Sequence, residues 1–375
     1  MKYLRMACSV VLLAIVVAAL AIAALIYFVD PNKLKPMIVA EVDKQTGYQL
    51  TIDGALSWSF YPRVGVNVEH MTLQSPPQTT PFLDLHDVTM TTELSQLIRG
   101  NEKLQGDLRI ADIKLMNLHL TNAAVNLHWQ DSILTLQSLK ASLYDGTLVG
   151  EAHGQELSLL PKWDWRVALT RVQLKPLLDD VNGADSKVKL SGTTDVTLKA
   201  AAQGKSKEEI FKSLNGTSEF SLHQGAIEGI DLNYLVQTAD ALLNKQPLTA
   251  AQNSNQTSFD SLTGTAIIKD GVFDTNDLLL TSSAFKVTAQ GDVNLNYQTI
   301  NLALHIVPEQ VKTQWEIPVS VIGALHHPDV RLDMGEIKKV IAKQEVEKVK
   351  AKVRDQIKEK IPGKAGEFLQ NLLGK

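Results

Sequence analysis

The sequence has a single cysteine, Cys8, in 375 residues. That excludes an intramolecular disulfide and any zinc site built on paired cysteines. Cys8 also follows only seven residues, too few to hold the apolar signal region that a lipoprotein cysteine needs. Aromatic residues are scarce at 6%, so Leu and the β-branched residues carry most of the 44% hydrophobic content. This composition suits strands better than a compact aromatic core. Charge of one sign is lacking too: 37 Lys and Arg face 41 Asp and Glu, a formal net of −4. No nucleic-acid partner is expected from that balance.

Catalytic signatures are missing as well. There is no HExxH and no GxSxG. The nine histidines are scattered, and the adjacent His326 and His327 would point to opposite faces of a strand. Gly204–Ser206 reads "GKS" like the end of a phosphate loop, but the position five before Gly204 is Lys199 rather than glycine. No catalytic, cofactor-binding or metal-ligating residue is assigned, and the chain is not expected to be an enzyme.

What is present begins with a run free of charge from Met6 to Val29. A bilayer-spanning helix needs about 20 apolar residues, and residues 7–29 meet that length. Lys2 and Arg5 precede the run, which places residues 1–6 in the cytoplasm and the bulk of the chain across the membrane. The alternative is a cleaved signal peptide with small residues at Ala21 and Ala23. The apolar stretch outruns the usual h-region of about 7–15 residues, which favours a retained anchor. Residues 30–47 then read as a helix next to the membrane: Asp30 at the N-cap, Pro31 in the first turn and Gly47 at the C-terminal stop.

From Tyr48 to about Asp333 the chain reads as strands, in two β regions, 48–205 and 206–334. Short helices are expected at Thr92–Gly100, Lys207–Gly216 and Ile230–Gln246. Apolar residues recur at every second position: Leu50, Ile52, Leu56, Trp58 and Phe60, then Val64, Val66 and Val68. The clearest pair is Phe285, Val287, Ala289, Gly291, Val293 and Leu295, followed after a polar turn by Ile300, Leu302, Leu304 and Ile306. A faint repeat links the segments beginning at Ser213 and Ser261. Residues 335–375 read as a basic helical tail, with eleven Lys or Arg and six acids between Glu336 and Lys375. An amphipathic helix of that kind either lies on an anionic membrane or caps the end of a sheet.

The order of apolar run, short helix and first strands resembles the N-terminus of the AsmA family. The pattern falls at Thr46, Gly47, Gly54, Trp58, Ser59, Pro62, Arg63 and Gly65. Segments containing Gly216, Gly264, Gly271 and Gly291, and "IPVSVIGALHHPDVRL" with Pro318, Gly323 and Pro328, resemble the C-terminal region of the same family. The resemblance implies a single-pass inner-membrane protein of a two-membrane bacterium, with its body in the periplasm. It also implies a role in outer-membrane biogenesis, including the assembly of outer-membrane proteins. Related bridge-like lipid transporters carry acyl chains in a taco-shaped groove, formed by an elongated, twisted antiparallel sheet. Phospholipid or another acyl lipid, and outer-membrane assembly proteins, become the implied partners.

A groove is also physically sensible, because an acyl chain in water costs about 0.8 kcal/mol per CH₂ and an apolar stripe offsets that without any polar motif. About fifteen strands spaced about 4.8 Å apart would make a trough on the order of 70 Å long. The candidate lining is Leu50, Ile52, Leu56, Trp58, Phe60, Val64, Val66 and Val68 near the start, and Phe285, Val287, Val293, Leu295, Ile300, Leu302, Leu304 and Ile306 near the end. The competing reading is a dry β-sandwich core in which the same stripes pack on protein. A non-transporting periplasmic scaffold is the alternative function.

Overall fold

In the computed structural model the described residues are 30–59, 65–76, 80–92, 104–157, 159–182, 186–244, 247, 254–309 and 316–360. The expected membrane span at 7–29 lies outside them, as do residues 93–100 of the expected short helix, Pro62, and the last fifteen residues of the tail. Among the described residues no helix is long and apolar enough to cross a membrane.

A short 3-10 turn, Pro31–Leu34, leads into helix α1, Lys35–Thr46. The Asp30 carboxylate accepts from the Asn32 backbone N–H, and Gly47 ends α1 in the left-handed conformation at φ 72°. The Asn32 side chain then copies a strand: its Oδ1 accepts from Leu56 N–H at 2.9 Å and its amide donates to Leu56 C=O at 3.4 Å. That pairing satisfies backbone groups on the edge of the first strand, where an open edge would otherwise invite another chain.

Sixteen strands follow one another in hydrogen-bonded order within one sheet. They are β1 Gln49–Ser59, β2 Gly65–Gln74, β3 Leu83–Thr92, β4 Leu104–Leu115, β5 Leu118–Gln130, β6 Ile133–Leu143, β7 Gly146–Gln155 and β8 Lys162–Gln173. After these come β9 Lys189–Gln203, β10 Asn215–Glu228, β11 Gln256–Lys269, β12 Val272–Thr281, β13 Phe285–Asn294, β14 Thr299–Pro308, β15 Ile317–Ala324 and β16 His327–Leu332. Tight two-residue turns join several neighbours. Asp270 and Gly271 between β11 and β12 both have positive φ, 49° and 77°, as a type I′ turn requires. The remaining helices are α2 Leu174–Asn182, α3 Lys207–Ser213, α4 Leu232–Asn244 and α5 Met334–Lys360. The chain divides into two compact units, residues 1–184, 193–220 and 267–271 in one and 185–192, 221–266 and 272–375 in the other.

In the first unit, register makes each face chemically uniform. Leu50, Leu73, Leu83, Leu115 and Leu118 pair in one row across β1–β5. Ile52, Met71, Leu85 and Ile113 lead to Leu120 in the next, and Trp58, Val66, Met90, Leu108 and Val125 form another. Between these lies Leu56, Val68, Val88, Ile110 and Ala123, each 8% exposed or less.

A plain period of two would not produce this. In β2 the apolar positions step from Val68 to Met71, in β3 from Leu85 to Val88, in β4 from Ile110 to Ile113 and in β5 from Leu120 to Ala123. Each of these strands spends one extra residue at the same level, and β1 spends two, Gly54 and Ala55 opposite the single Glu69, at a bulge between Asp53 and Leu56 where Gly54 has φ 77°. The extra residue returns the following side chains to the apolar face. Ala141, Leu143 and Val172 join this core, with Leu177 of α2 packed against it. Beside them the Tyr144 hydroxyl donates to Asp180. Its pKa is pushed up to about 12, by burial first and then by that carboxylate.

The second unit has a comparable row: Leu280, Val287, Ile306 and Ile317 are paired in order across β12–β15 and all buried. Helix α5 begins on Asp333, whose carboxylate accepts from Gly335 and Glu336 N–H. Its first turn buries Ile337 to 1% and packs on β15, whereas Val346 and Val349 farther along remain exposed.

Helix α4 depends on one carboxylate. Asp231, itself buried, accepts from Tyr234 N–H at 2.9 Å, and from the Ser254 N–H and hydroxyl at 2.7 and 2.6 Å. Burial pushes its pKa up, but the Ser254 hydroxyl and the N–H groups of Tyr234, Ser254 and Asn233 together outweigh burial and leave it below the ordinary value. The folded state therefore binds this proton less readily than the unfolded chain. The stability it contributes is complete above the unfolded aspartate value, near 3.9, and is lost as pH falls through the lower folded value. Asp231→Ala is expected to cost about 1–2 kcal/mol at pH 7 and to flatten the acid limb of the stability profile. Urea midpoints measured from pH 7 down to pH 3 check both effects.

Candidate functional site: the apolar sheet face

Across β5–β9 of the first unit the apolar face is built differently from the β1–β5 core. Leu127, Leu136, Ala152, Trp165 and Ala200 form one row. Trp129, Leu134, Gly154, Trp163 and Ala202 form the next, and Leu139, Gly150, Val167 and Leu198 a third. The alanines in these rows are buried, whereas the large side chains stay only half-buried. Small residues thus make a floor between ridges of Leu, Val and Trp.

The two tryptophans stand two residues apart on β8, with ring centroids 6.4 Å apart and planes 5° from parallel. Trp163 lies over Gly154, where an added Cβ would come within 2.7 Å of a ring carbon. The glycine is there because the indole occupies the space a side chain would need.

The opposite face of the same strands is polar. Arg166 pairs with Glu151 at 2.8 Å and Lys162 with Glu156 at 2.7 Å. Thr135 and His153 are within hydrogen-bonding distance at 3.3 Å. A sheet with this division must hide or occupy its apolar side, and extended apolar surface of this kind marks interaction sites and ligand grooves. No titratable cluster lies in these apolar rows, so the arrangement favours hydrocarbon and supplies no general acid or base there.

The AsmA family model matches residues 1–104 and 90–278 of this sequence. The chain belongs to the AsmA family. Protein AsmA of Escherichia coli (strain K12) is 23% identical over 243 residues, which cover 61% of this chain and 36% of that protein. The match thus spans little more than a third of the relative's length. No solved structure matches the chain.

The motif residues that carry the AsmA resemblance fall at defined structural positions. Gly47 caps α1, Gly54 sits at the β1 bulge and Gly271 in a hairpin turn. At Gly65 and Gly216 a neighbouring strand's carbonyl lies within 2.2 and 2.1 Å of where a Cβ would be. Gly264 lies in β11, Gly291 in β13 and Gly323 in β15, while Pro318 and Pro328 pair with His305 and Gly323.

The candidate lining residues divide into two sets. Leu56, Val68, Phe285, Val287 and Ile306 are buried, their surface already covered by protein. Leu50, Ile52, Trp58, Val66, Val293, Ile300, Leu302 and Leu304 are half-buried. Leu295 falls in the turn between β13 and β14 rather than on the strand, and Phe60 and Val64 lie outside the described residues. The sequence reading did not single out Trp163, Trp165, Leu136, Val167 or Leu198. The alternation in "KWDWRVAL" was the available signal: it marks a strand, but only register shows which neighbours leave its large side chains half-covered.

Proposed function

We propose that this chain is an inner-membrane-anchored periplasmic factor of outer-membrane biogenesis that binds phospholipid acyl chains on its apolar sheet face. It acts by holding hydrocarbon and not by catalysis, and through lipid supply it influences the assembly of outer-membrane proteins. AsmA family membership supports the setting, and the charge-free run of residues 6–29 supports the anchor. The observation that carries the lipid reading is the half-buried apolar surface over β5–β9, with small buried residues between large half-buried ones. Each CH₂ moved from water onto such a surface gains up to about 0.8 kcal/mol, so retention grows with the length of acyl chain laid along the face.

The full chain, purified in a detergent that is then exchanged for amphipol, is extracted with organic solvent and the extract analysed by mass spectrometry. Phospholipid at or above one molecule per chain is expected, in excess of an unrelated single-pass protein purified in parallel. An extract no richer than that control removes lipid carriage and leaves the non-transporting scaffold.

A further inference from the structure

The extra residue in each of β2–β5 has a second consequence, on the polar face. It places Asp53, His70, His86 and Asp112 in one row across β1–β4, with Asp84 two residues before His86 on the same side. One ligating atom each from His70, Asp84 and His86 lies within 4.8 Å of the others. Asp84 Oδ1 is 2.9 Å from His70 Nε2 and 3.3 Å from His86 Nε2. On the far side of the His70 ring, Nδ1 lies 3.3 Å from Asp53 Oδ2.

We propose that His70, Asp84 and His86 form a binding site for a zinc-type divalent transition ion on the polar face of the β2–β3 hairpin. Two imidazoles and a carboxylate are a donor set zinc takes up readily, with the fourth position left to water. Tetrahedral zinc with bonds of about 2.0–2.1 Å holds its ligand atoms about 3.3 Å apart. The two distances to Asp84 Oδ1 already approach that spacing. The donors sit on neighbouring strands whose ladder fixes His70 opposite His86, so the site does not depend on a loop.

Asp53 supplies the outer carboxylate that metal-bound histidines usually have, fixing the proton on His70 Nδ1 and freeing Nε2 for the ion. Each imidazole binds in its neutral form, so loading displaces any proton held on either Nε2. Calcium and magnesium are disfavoured, because they require more oxygen ligands than one carboxylate brings. Without an ion, His70 Nε2 is hydrogen-bonded to Asp84 Oδ1 and His86 Nε2 lies 3.3 Å from the same oxygen, with the two rings stacked at 4.4 Å and 17°. Binding turns the His86 ring out of that stack, and its side chain, 49% exposed, has the freedom to do so. The bound ion would staple β2 to β3 where both strands carry their extra residue.

Zinc alone is titrated into the full chain, purified with a histidine-free tag, by competition with a chromogenic chelator. One equivalent bound at micromolar affinity or tighter is expected. His70→Ala and His86→Gln should each weaken binding at least about 100-fold. Asp53→Asn should weaken it by about 10–100-fold, the usual cost of losing an outer carboxylate. His128→Ala, on β5 outside the cluster, should leave it unchanged. Circular dichroism confirms that each variant is folded, and His86→Gln, a substitution at the most exposed of the three ligands, keeps the test valid if His70→Ala is not. No stoichiometric uptake, or uptake that survives in folded His86→Gln, overturns the site.

Discussion

Leu136→Glu combined with Val167→Glu is expected to leave the chain folded and strip it of lipid. Both residues are half-buried on the apolar face, Leu136 between Leu127 and Ala152 and Val167 between Gly150 and Leu198. A carboxylate at either position can keep water contact in the lipid-free protein, so the cost to folding is small. Against a bound acyl chain it cannot. On the scale of membrane insertion a charge set in hydrocarbon costs about 3 kcal/mol, so two such charges weaken lipid retention by about four orders of magnitude.

The matched control places the same charge on the polar side. Gln137→Glu with Thr197→Glu, both exposed on β6 and β9, should leave lipid content unaltered. Phosphorus per chain and the mass spectrum of the extract provide the readout, and circular dichroism the fold control. Equal lipid in both double variants would remove the apolar face from the account. Unfolding of the first pair alone would mean that its face is a dry core. Val88→Glu marks that outcome: Val88 is 3% exposed in the β1–β5 core, and a charge there should unfold the first unit.

The contrast between these two stretches of one face explains how far the sequence could be read. The alternation at Phe285 to Val293 and Ile300 to Ile306 was legible because strand β13 meets β14 without interruption, Val293 opposite Ile300 and Val287 opposite Ile306. The two ends of the 30–47 segment were legible because Asp30, which caps the 3-10 turn, and Gly47, which ends α1, act on residues within four positions of themselves; the break at Leu34 between turn and helix, where no side chain caps α1, was not. Burial was not legible. Leu56 and Trp58 follow the same alternation, yet Leu56 is sealed by Val68 and the residues packed over that row, and Trp58 is not.

The three-residue steps were visible as letters, in "VEHM", "LHDV", "IADI" and "LTNA". Taken singly, each looks like a lapse in a strand. Only when they align at one level across β2–β5 do they become a structural device. The alignment brings His70, Asp84 and His86 together, although 16 positions separate the two histidines in sequence. Scattered histidines give no such signal until pairing register is known.

Two glycines of the second unit should then differ sharply when replaced. Gly291 and Gly323 both lie within strands and both hold positive φ, 140° and 111°. An L-residue in that region is strained by about 1–3 kcal/mol. At Gly323 the strain is the whole cost, because the nearest atom to an added Cβ is Asp329 N at 3.9 Å, an ordinary contact. At Gly291 the added Cβ would stand 2.1 Å from the Asn301 carbonyl oxygen and 3.0 Å from Leu302 Cα. Both are backbone atoms in the ladder that pairs Gly291 with Leu302 and Asp292 with Asn301, so relief requires breaking that ladder.

Gly323→Ala should cost about 1–2 kcal/mol, whereas Gly291→Ala should cost more than about 4 kcal/mol, in the range reserved for a backbone that cannot accommodate its side chain. The ladder at stake joins β13 to β14, where Val287 and Ile306 belong to the buried row of the second unit. Thermal and denaturant midpoints of the two variants, measured beside the parent, should therefore separate widely. Comparable losses would mean that β14 yields at Asn301 and that the close approach is not fixed by the sheet.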